Sequence, residues 1–317
     1  MILPASRVRA VAERLNEHFG FYLTHCRLLA ESRSPWQHIE IFEHPLFGRL
    51  MRIDECFMTS ERDEFFYHEP MVHLPATAHP GVRRALIVGG GDGGAAEELL
   101  KLPGIEHVTL CELDEEVIRM ARQWLPSIHR GALDDPRLRI QTGDARSFIR
   151  TTAERFDQIV LDLTDPFGPA IELYTVEFYR ACQHILNPGG VLSLHLGSPI
   201  HLQESMRRIH ASLRAVFTVV RPYLQYVPLY GTLWCMAVAS DTTDPAALAP
   251  QEVDTRLRHR GIKDLQLYNG QTHQALLAQP NFVRELLSQS AAPLHHADVL
   301  SDIHDPAQLP RITISES

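Results

Sequence analysis

Arg84-Ala85-Leu86-Ile87-Val88 runs directly into Gly89-Gly90-Gly91-Asp92-Gly93-Gly94, and the chain continues Ala95-Ala96-Glu97-Glu98-Leu99-Leu100-Lys101. The first stretch is short, apolar and bounded by glycine, which predicts a buried strand. The last is rich in helix formers. Between them the glycines satisfy G-x-G-x-x-G in the strand–turn–helix context that gives the motif its meaning. Glycines here let a nucleotide-type ligand approach the backbone at a helix N-terminus, where amide donors point outward. About 20 residues later, Glu112 ends the next apolar run, HVTLCEL (107–113). A carboxylate at that place accepts hydrogen bonds from both hydroxyls of a ribose.

The same rhythm extends downstream. RLRIQTG precedes DARSFIR, FDQIVLDL precedes YTVEFYRACQHIL, and GGVLSLHL precedes LQESMRRIHASLRAVF. Strand and helix alternating in this way predict right-handed βαβ units on a parallel sheet. Two further strands are expected near 217–223 and 232–239, giving an antiparallel edge, and helices near 251–260 and 272–288. Upstream, residues 7–19 read as a short helix, and 21–58 as short strands with alternating exposure, as in WQHIEIF (36–42). SERDEFFYHEPMVHL (60–74) reads as a helix capped around Ser60 and Asp63. The expected fold class is α/β: a Rossmann-like, methyltransferase-type, mostly parallel sheet flanked by helices, with a small N-terminal antiparallel β domain. The expected division is 1–75, 76–295 and a polar tail at 296–317.

Charge and composition narrow the chemistry. Thirty Lys and Arg against 39 Asp and Glu leave a net charge of −9, which argues against a nucleic-acid partner. No apolar run is long enough to span a bilayer, and the opening MILPASRVRAVAERL, without an apolar core before a small-residue site, carries no expectation of a secretory signal. The five cysteines are scattered without a C-x-x-C pair, so reduced thiols in a cytoplasm are expected. The 18 histidines contain no H-E-x-x-H, and no metal site is expected.

Asp92, in the middle of the glycine loop, would repel a pyrophosphate but attract a cation. That favours a sulfonium nucleoside over a dinucleotide. Asp144, in Gly143-Asp144-Ala145 after the third strand, is placed to accept the exocyclic N–H of an adenine, although an Asp there also serves as a helix cap. A second acidic loop, Asp162-Leu163-Thr164-Asp165-Pro166-Phe167-Gly168-Pro169-Ala170, follows the strand FDQIVLDL. Its two carboxylates lie past the carboxyl end of a central strand, where open α/β sheets hold ligands. Pro166 and Pro169 stiffen it. Two anions so placed would orient a di- or polyamine and accept a proton from it.

GGGDGG, CELD, GDA and DLTDPFGPA together resemble the polyamine aminopropyltransferases: spermidine, spermine and thermospermine synthases. SERDEFFYHE upstream and LYNGQTHQALLAQPNFVREL (267–286) downstream extend the likeness, which covers roughly 35–290. The resemblance implies transfer of an aminopropyl group from decarboxylated S-adenosylmethionine to an amine such as putrescine or spermidine. It implies no separate cofactor and a homodimer or homotetramer. On these positions it implies that Gln37, Gly89, Gly91, Asp92, Glu112, Asp144 and Ala145 hold the donor. Asp162 would be the general base and Asp165 an amine anchor, with Tyr67 and His68 lining the amine channel. Three positions depart from the family pattern. Met58 stands where a Gln is usual, Asp54-Glu55 where Asp-Gly is usual, and in Val227-Pro228-Leu229-Tyr230-Gly231 either Leu229 takes the place of a Tyr or, with the alignment slipped by one, Tyr230 keeps it. VPLYGTLW, and GDA in place of GDG, lean toward thermospermine synthases.

Two other functions fit the same fold. A methyltransferase would use intact S-adenosylmethionine, whose carboxylate Asp92 opposes. A non-catalytic polyamine or nucleoside binder would not need both Asp92 and Asp162.

Overall fold

A computed structural model describes residues 8–166 and 168–297. Most of the expected polar tail, from 298 on, lies outside these residues, as does Phe167 of the acidic loop. Five antiparallel strands form the first sheet in sequence order: β1 (Arg9–Arg14), β2 (Gly20–Arg33), β3 (His38–His44), β4 (Gly48–Ile53) and β5 (Cys56–Ser60). The helix expected over 7–19 is therefore a strand. Val8, Val11, Ala12 and Leu15 have helical spacing, but the side chains that go inside are Val11, Glu13 and Leu15, the alternation of a strand paired with β2. The β4–β5 turn places Asp54 and Glu55 at φ 46° and 70°, the left-handed pair of a two-residue hairpin, which explains why a glycine is usual there.

Helix α1 (Glu64–Ala78) links this sheet to a seven-stranded one. Its residues Tyr67–Thr77 are all buried, because Tyr67 and Met71 share one core with Ile39, Ile41 and Met51 of the small sheet and Ala85 and Ile87 of the large one. The expected cap takes another form. The Asp63 side chain accepts from the Ser60 hydroxyl and from Leu229 N rather than from a helix amide. Glu69 reaches the far segment, accepting the amides of Gln266, Leu267 and Tyr268 at 2.6, 2.8 and 2.8 Å.

The large sheet contains β6 (Arg84–Gly89), β7 (His107–Glu112), β8 (Leu138–Thr142), β9 (Phe156–Asp162), β10 (Leu186–Gly197), β11 (Val219–Val227) and β12 (Thr232–Ser240). Their order is β11-β12-β10-β9-β6-β7-β8, parallel from β10 to β8, with β12 and β11 antiparallel at one edge. Helices α2 (Gly94–Leu100), α3 (Glu115–Trp124), α4 (Pro126–His129), α5 (Ala145–Thr151), α6 (Val176–Ile185) and α7 (Gln203–Arg214) accompany it, followed by α8 (Pro250–His259), α9 (Gly270–Leu277) and α10 (Asn281–Ser288). The single helix expected over 272–288 is α9 and α10: Pro280 cannot continue a helix and biases Gln279 to extended backbone. From β6 the chain builds outward to β7 and β8, then returns to β9 on the other side. The order reverses between β6 and β9, and a ligand crevice belongs at their carboxyl ends.

Candidate active site

Parallel pairing sets Gly89, the last residue of β6, beside Asp162, the last of β9, and Gly90 N donates to Asp162 O at 2.9 Å. Gly89 has φ 78°, and any Cβ at this position would come within 2.2 Å of that carbonyl oxygen, so no other residue is admitted. Gly94, which opens α2, is held by the His68 ring: a Cβ there would lie 2.2 Å from Cε1. Glycine is thus required both to close the sheet end and to admit an imidazole behind the loop.

On one side of this end stand the expected donor residues. Glu112 is buried, and its carboxylate accepts Gly91 N at 3.2 Å and Asp114 N at 3.0 Å. Burial outweighs those bonds and pushes Glu112 up to about 7. Asp144 caps α5, its Oδ1 accepting Arg146 N at 2.9 Å, and Ala145 is buried behind it. Gln37 lies in the turn between β2 and β3, which the Ser34 hydroxyl pins to Asp114 Oδ2 at 2.6 Å. The small sheet thereby delivers Gln37 toward the end of β7.

At the centre is a charge cluster. His68 Nδ1 is 3.0 Å from Glu64 Oε2; its Nε2 is 3.6 Å from Asp92 Oδ2 and 3.8 Å from Asp162 Oδ2. Arg130 supports Glu64 from outside at 3.0 Å. Burial works against a charged imidazole, but Asp92, Glu64 and Asp162 outweigh it and raise His68 to about 10. Asp162 is raised by burial and by Asp92, against the pull of His68 and Tyr67, to about 7. Its Oδ2 is buried without a hydrogen-bond partner among the described residues. Asp92 Oδ1 accepts Gly94 N at 3.0 Å, which fixes the carboxylate at the loop. The three carboxylates around one imidazole leave net negative charge for an incoming cation.

Past Asp162, along Leu163, Thr164 and Asp165, a partly open cavity is lined by Tyr67, Asp165 and Met58, all singled out in the sequence, and by Glu13, His195, Tyr230 and Trp234. Burial pushes Asp165 up to about 7. Tyr67 and His68 part company here: Tyr67 faces the cavity, whereas His68 stands between Asp92 and Asp162. Leu229 does not replace a cavity tyrosine. It is buried with Val11, Phe42 and Phe57 in the small sheet's core, and Tyr230 takes the cavity position, 5.0 Å from Trp234. Of the two alignments the sequence allows, the Pro228–Gly231 turn puts the polar ring at Tyr230.

Glu13 and His195 escaped the sequence reading. Glu13 accepts Phe57 N at 2.6 Å, and burial, with Asp165 adding to it, raises it to about 8. Its signal was a carboxylate on the inward phase Val11-Glu13-Leu15, hidden by taking that stretch as helical. His195 interrupts the apolar strand β10 beside the switch strand, a polar residue in a run that packing alone would fill with aliphatic side chains.

Residues 64–249 match the family model of the spermine/spermidine synthase domain. A polyamine aminopropyltransferase from Nitrosomonas europaea is 60% identical over 96% of this chain and 94% of its own. Polyamine aminopropyltransferase 1 of Pseudomonas aeruginosa is 37% identical over 87% and 97%. Among solved structures, a spermidine synthase in complex with the transition-state analogue AdoDATO superposes with a TM-score of 0.82 at 33% identity, covering 90% of this chain and 98% of that one. The spermidine synthase of Thermotoga maritima gives 0.80 at 32%, over 90% and 97%. The chain belongs to the spermine/spermidine synthase family and is an enzyme of the polyamine aminopropyltransferase kind.

Proposed function

We propose that the enzyme moves the aminopropyl group of decarboxylated S-adenosylmethionine to putrescine, giving spermidine and methylthioadenosine. The observation that carries this reading is the position of Asp162: its buried Oδ2 lies 3.8 Å from His68 Nε2 in the Asp92 cluster, and the residues that follow it, Leu163, Thr164 and Asp165, line the cavity that also holds Glu13. Asp92 holds the donor's ammonium. Glu112 takes the ribose hydroxyls, and Asp144, Ala145 and Gln37 the adenosine, with Gly89 and Gly91 allowing close approach.

The acceptor amine attacks the carbon beside the sulfonium in line, and the thioether leaves neutral, so no acid is needed for departure. The demand falls on the nucleophile, which is protonated at neutral pH. With a pKa near that of lysine, freeing it at pH 7 costs roughly 4–5 kcal/mol. Asp162, raised toward the working pH, is matched to accept that proton. Asp165 and Glu13 hold the far nitrogen and so align the near one. Tyr230 donates its proton to Met58 O at 2.7 Å, leaving its oxygen lone pairs to an amine. With Tyr230 in the cavity, a short diamine keeps a polar wall, which supports putrescine over spermidine.

Donor selectivity tests the reading against methyl transfer. Asp92 opposes a donor carboxylate, so decarboxylated S-adenosylmethionine should bind at least about tenfold more tightly than the intact form. Equal affinities in calorimetry, or preference for the intact form, would overturn it.

A further inference from the structure

His195 sits near the end of β10 and is buried, with Trp234 stacked against its ring at 5.8 Å and Tyr174 edge-on at 5.8 Å. Its Nε2 lies 3.1 Å from Leu163 O and 2.8 Å from the Tyr174 hydroxyl, which itself lies 2.8 Å from Thr164 O. Carbonyl oxygens only accept. Were Nε2 bare, its lone pair would face that of Leu163 O, and the single Tyr174 proton would have to serve both Nε2 and Thr164 O. With the proton on Nε2, the imidazole donates to Leu163 O and the Tyr174 oxygen, and the tyrosine donates to Thr164 O. The network thus fixes the tautomer. Nδ1 is then a bare acceptor. It is buried, has no hydrogen-bond partner among the described residues, and lies 3.8 Å from Asp165 Oδ1 in the cavity wall.

With Asp165 ionised, as it is opposite a bound ammonium, a lone pair 3.8 Å from its carboxylate oxygen offers nothing to it, since neither group then donates. Both together suit one ligand group, a cationic nitrogen with at least two N–H bonds, one directed to each acceptor. Burial also keeps the ring neutral, pushing it down to about 4, so the lone pair persists across the physiological range. We propose that His195 is a specificity-determining residue whose Nδ1 accepts a hydrogen bond from the far ammonium of the acceptor, alongside Asp165. This rests on the aminopropyl-transfer reading and narrows its acceptor to amines carrying a second, protonated nitrogen.

The test compares putrescine with 1-aminobutane, which keeps the reacting nitrogen and lacks the far one, in wild-type enzyme, His195→Phe and His195→Gln. Phenylalanine preserves the stack on Trp234 and removes the acceptor; glutamine supplies another. His195→Phe should lower kcat/KM for putrescine about 10- to 100-fold, the worth of a hydrogen bond to a charged group. The loss should fall on the amine's KM, leave the donor's KM unchanged, change 1-aminobutane less than about threefold, and be largely restored in His195→Gln. Equal losses for both amines, or no loss, would overturn the proposal. ¹⁵N NMR of the wild-type imidazole decides the point without any variant. An unprotonated Nδ1 whose resonance moves on adding putrescine, but not 1-aminobutane, supports it; a protonated Nδ1 or an unmoved resonance contradicts it. Absence of transfer to either amine by the wild type would instead overturn the aminopropyl-transfer reading, while the NMR result still decides His195.

Discussion

Nε2 of His68 lies 3.8 Å from the unpartnered Oδ2 of Asp162, so the base proposed for the reaction shares its surroundings with a cation supplied by the protein. The imidazolium favours ionised Asp162, whereas burial and Asp92 oppose ionisation. The balance leaves a carboxylate that is basic enough to take a proton yet ionised in a useful fraction near neutral pH.

Replacing His68 by Asn removes that cation. The Asp162 pKa should then rise, and the acid limb of kcat/KM against pH should move to higher pH. The position of the limb, rather than its height, is the readout. A limb that stays in place would show that Asp162 is not the group titrating.

Asp162→Asn keeps the shape and removes the proton acceptor. Turnover at pH 7 should fall 10²- to 10⁴-fold. Donor affinity should change little, because Glu112 and the glycine loop lie on other strand ends. Near-normal turnover would remove Asp162 from the role of base.

Glu13 links stability to pH. Its pKa is raised in the folded protein, to about 8, so folding favours its protonated form. Its contribution is fully present below the ordinary glutamate range and is lost as pH rises through about 8. Glu13→Gln retains an acceptor for Phe57 N and cannot ionise. The melting temperature of the variant relative to wild type should therefore increase between pH 5 and pH 8.5, by an amount worth up to a few kcal/mol. A difference independent of pH would mean that Glu13 ionises freely where it stands.

The loop GGGDGG, Glu112, Asp144 and the acidic loop were legible because backbone geometry demands them: strand ends at a switch point dictate where glycines and acids go. The helices α2, α5, α6 and α7 followed from the alternation of strand and helix, whereas the one-turn α4 (Pro126–His129) was not expected. What stayed hidden depends on contacts made at a distance. β1 is a strand only because β2 pairs with it, and Glu13 faces inward only as a consequence. Leu229 and Tyr230 are adjacent and both apolar-compatible; the Pro228–Gly231 turn and the pull of Asp63 on Leu229 N decide which one enters the cavity. His195 acquires meaning only once Leu163 O and Tyr174 are seen on its Nε2.

Glu55 carries a backbone cost at φ 70°. Glu55→Gly should stabilise the protein by about 0.5–1 kcal/mol, since relief of the left-handed strain exceeds the entropy gained by the unfolded chain. Denaturant titration at fixed pH measures it. A loss of stability would show that contacts of the Glu55 side chain outweigh the strain.

Incubation of the purified enzyme with decarboxylated S-adenosylmethionine and a panel of mono-, di- and polyamines, read by mass spectrometry, tests the central claim most directly. Aminopropylated product and methylthioadenosine should form in equal amounts, with putrescine converted to spermidine at the highest kcat/KM. Formation of methylated product from intact S-adenosylmethionine, or no aminopropylated amine from any member of the panel, would contradict it.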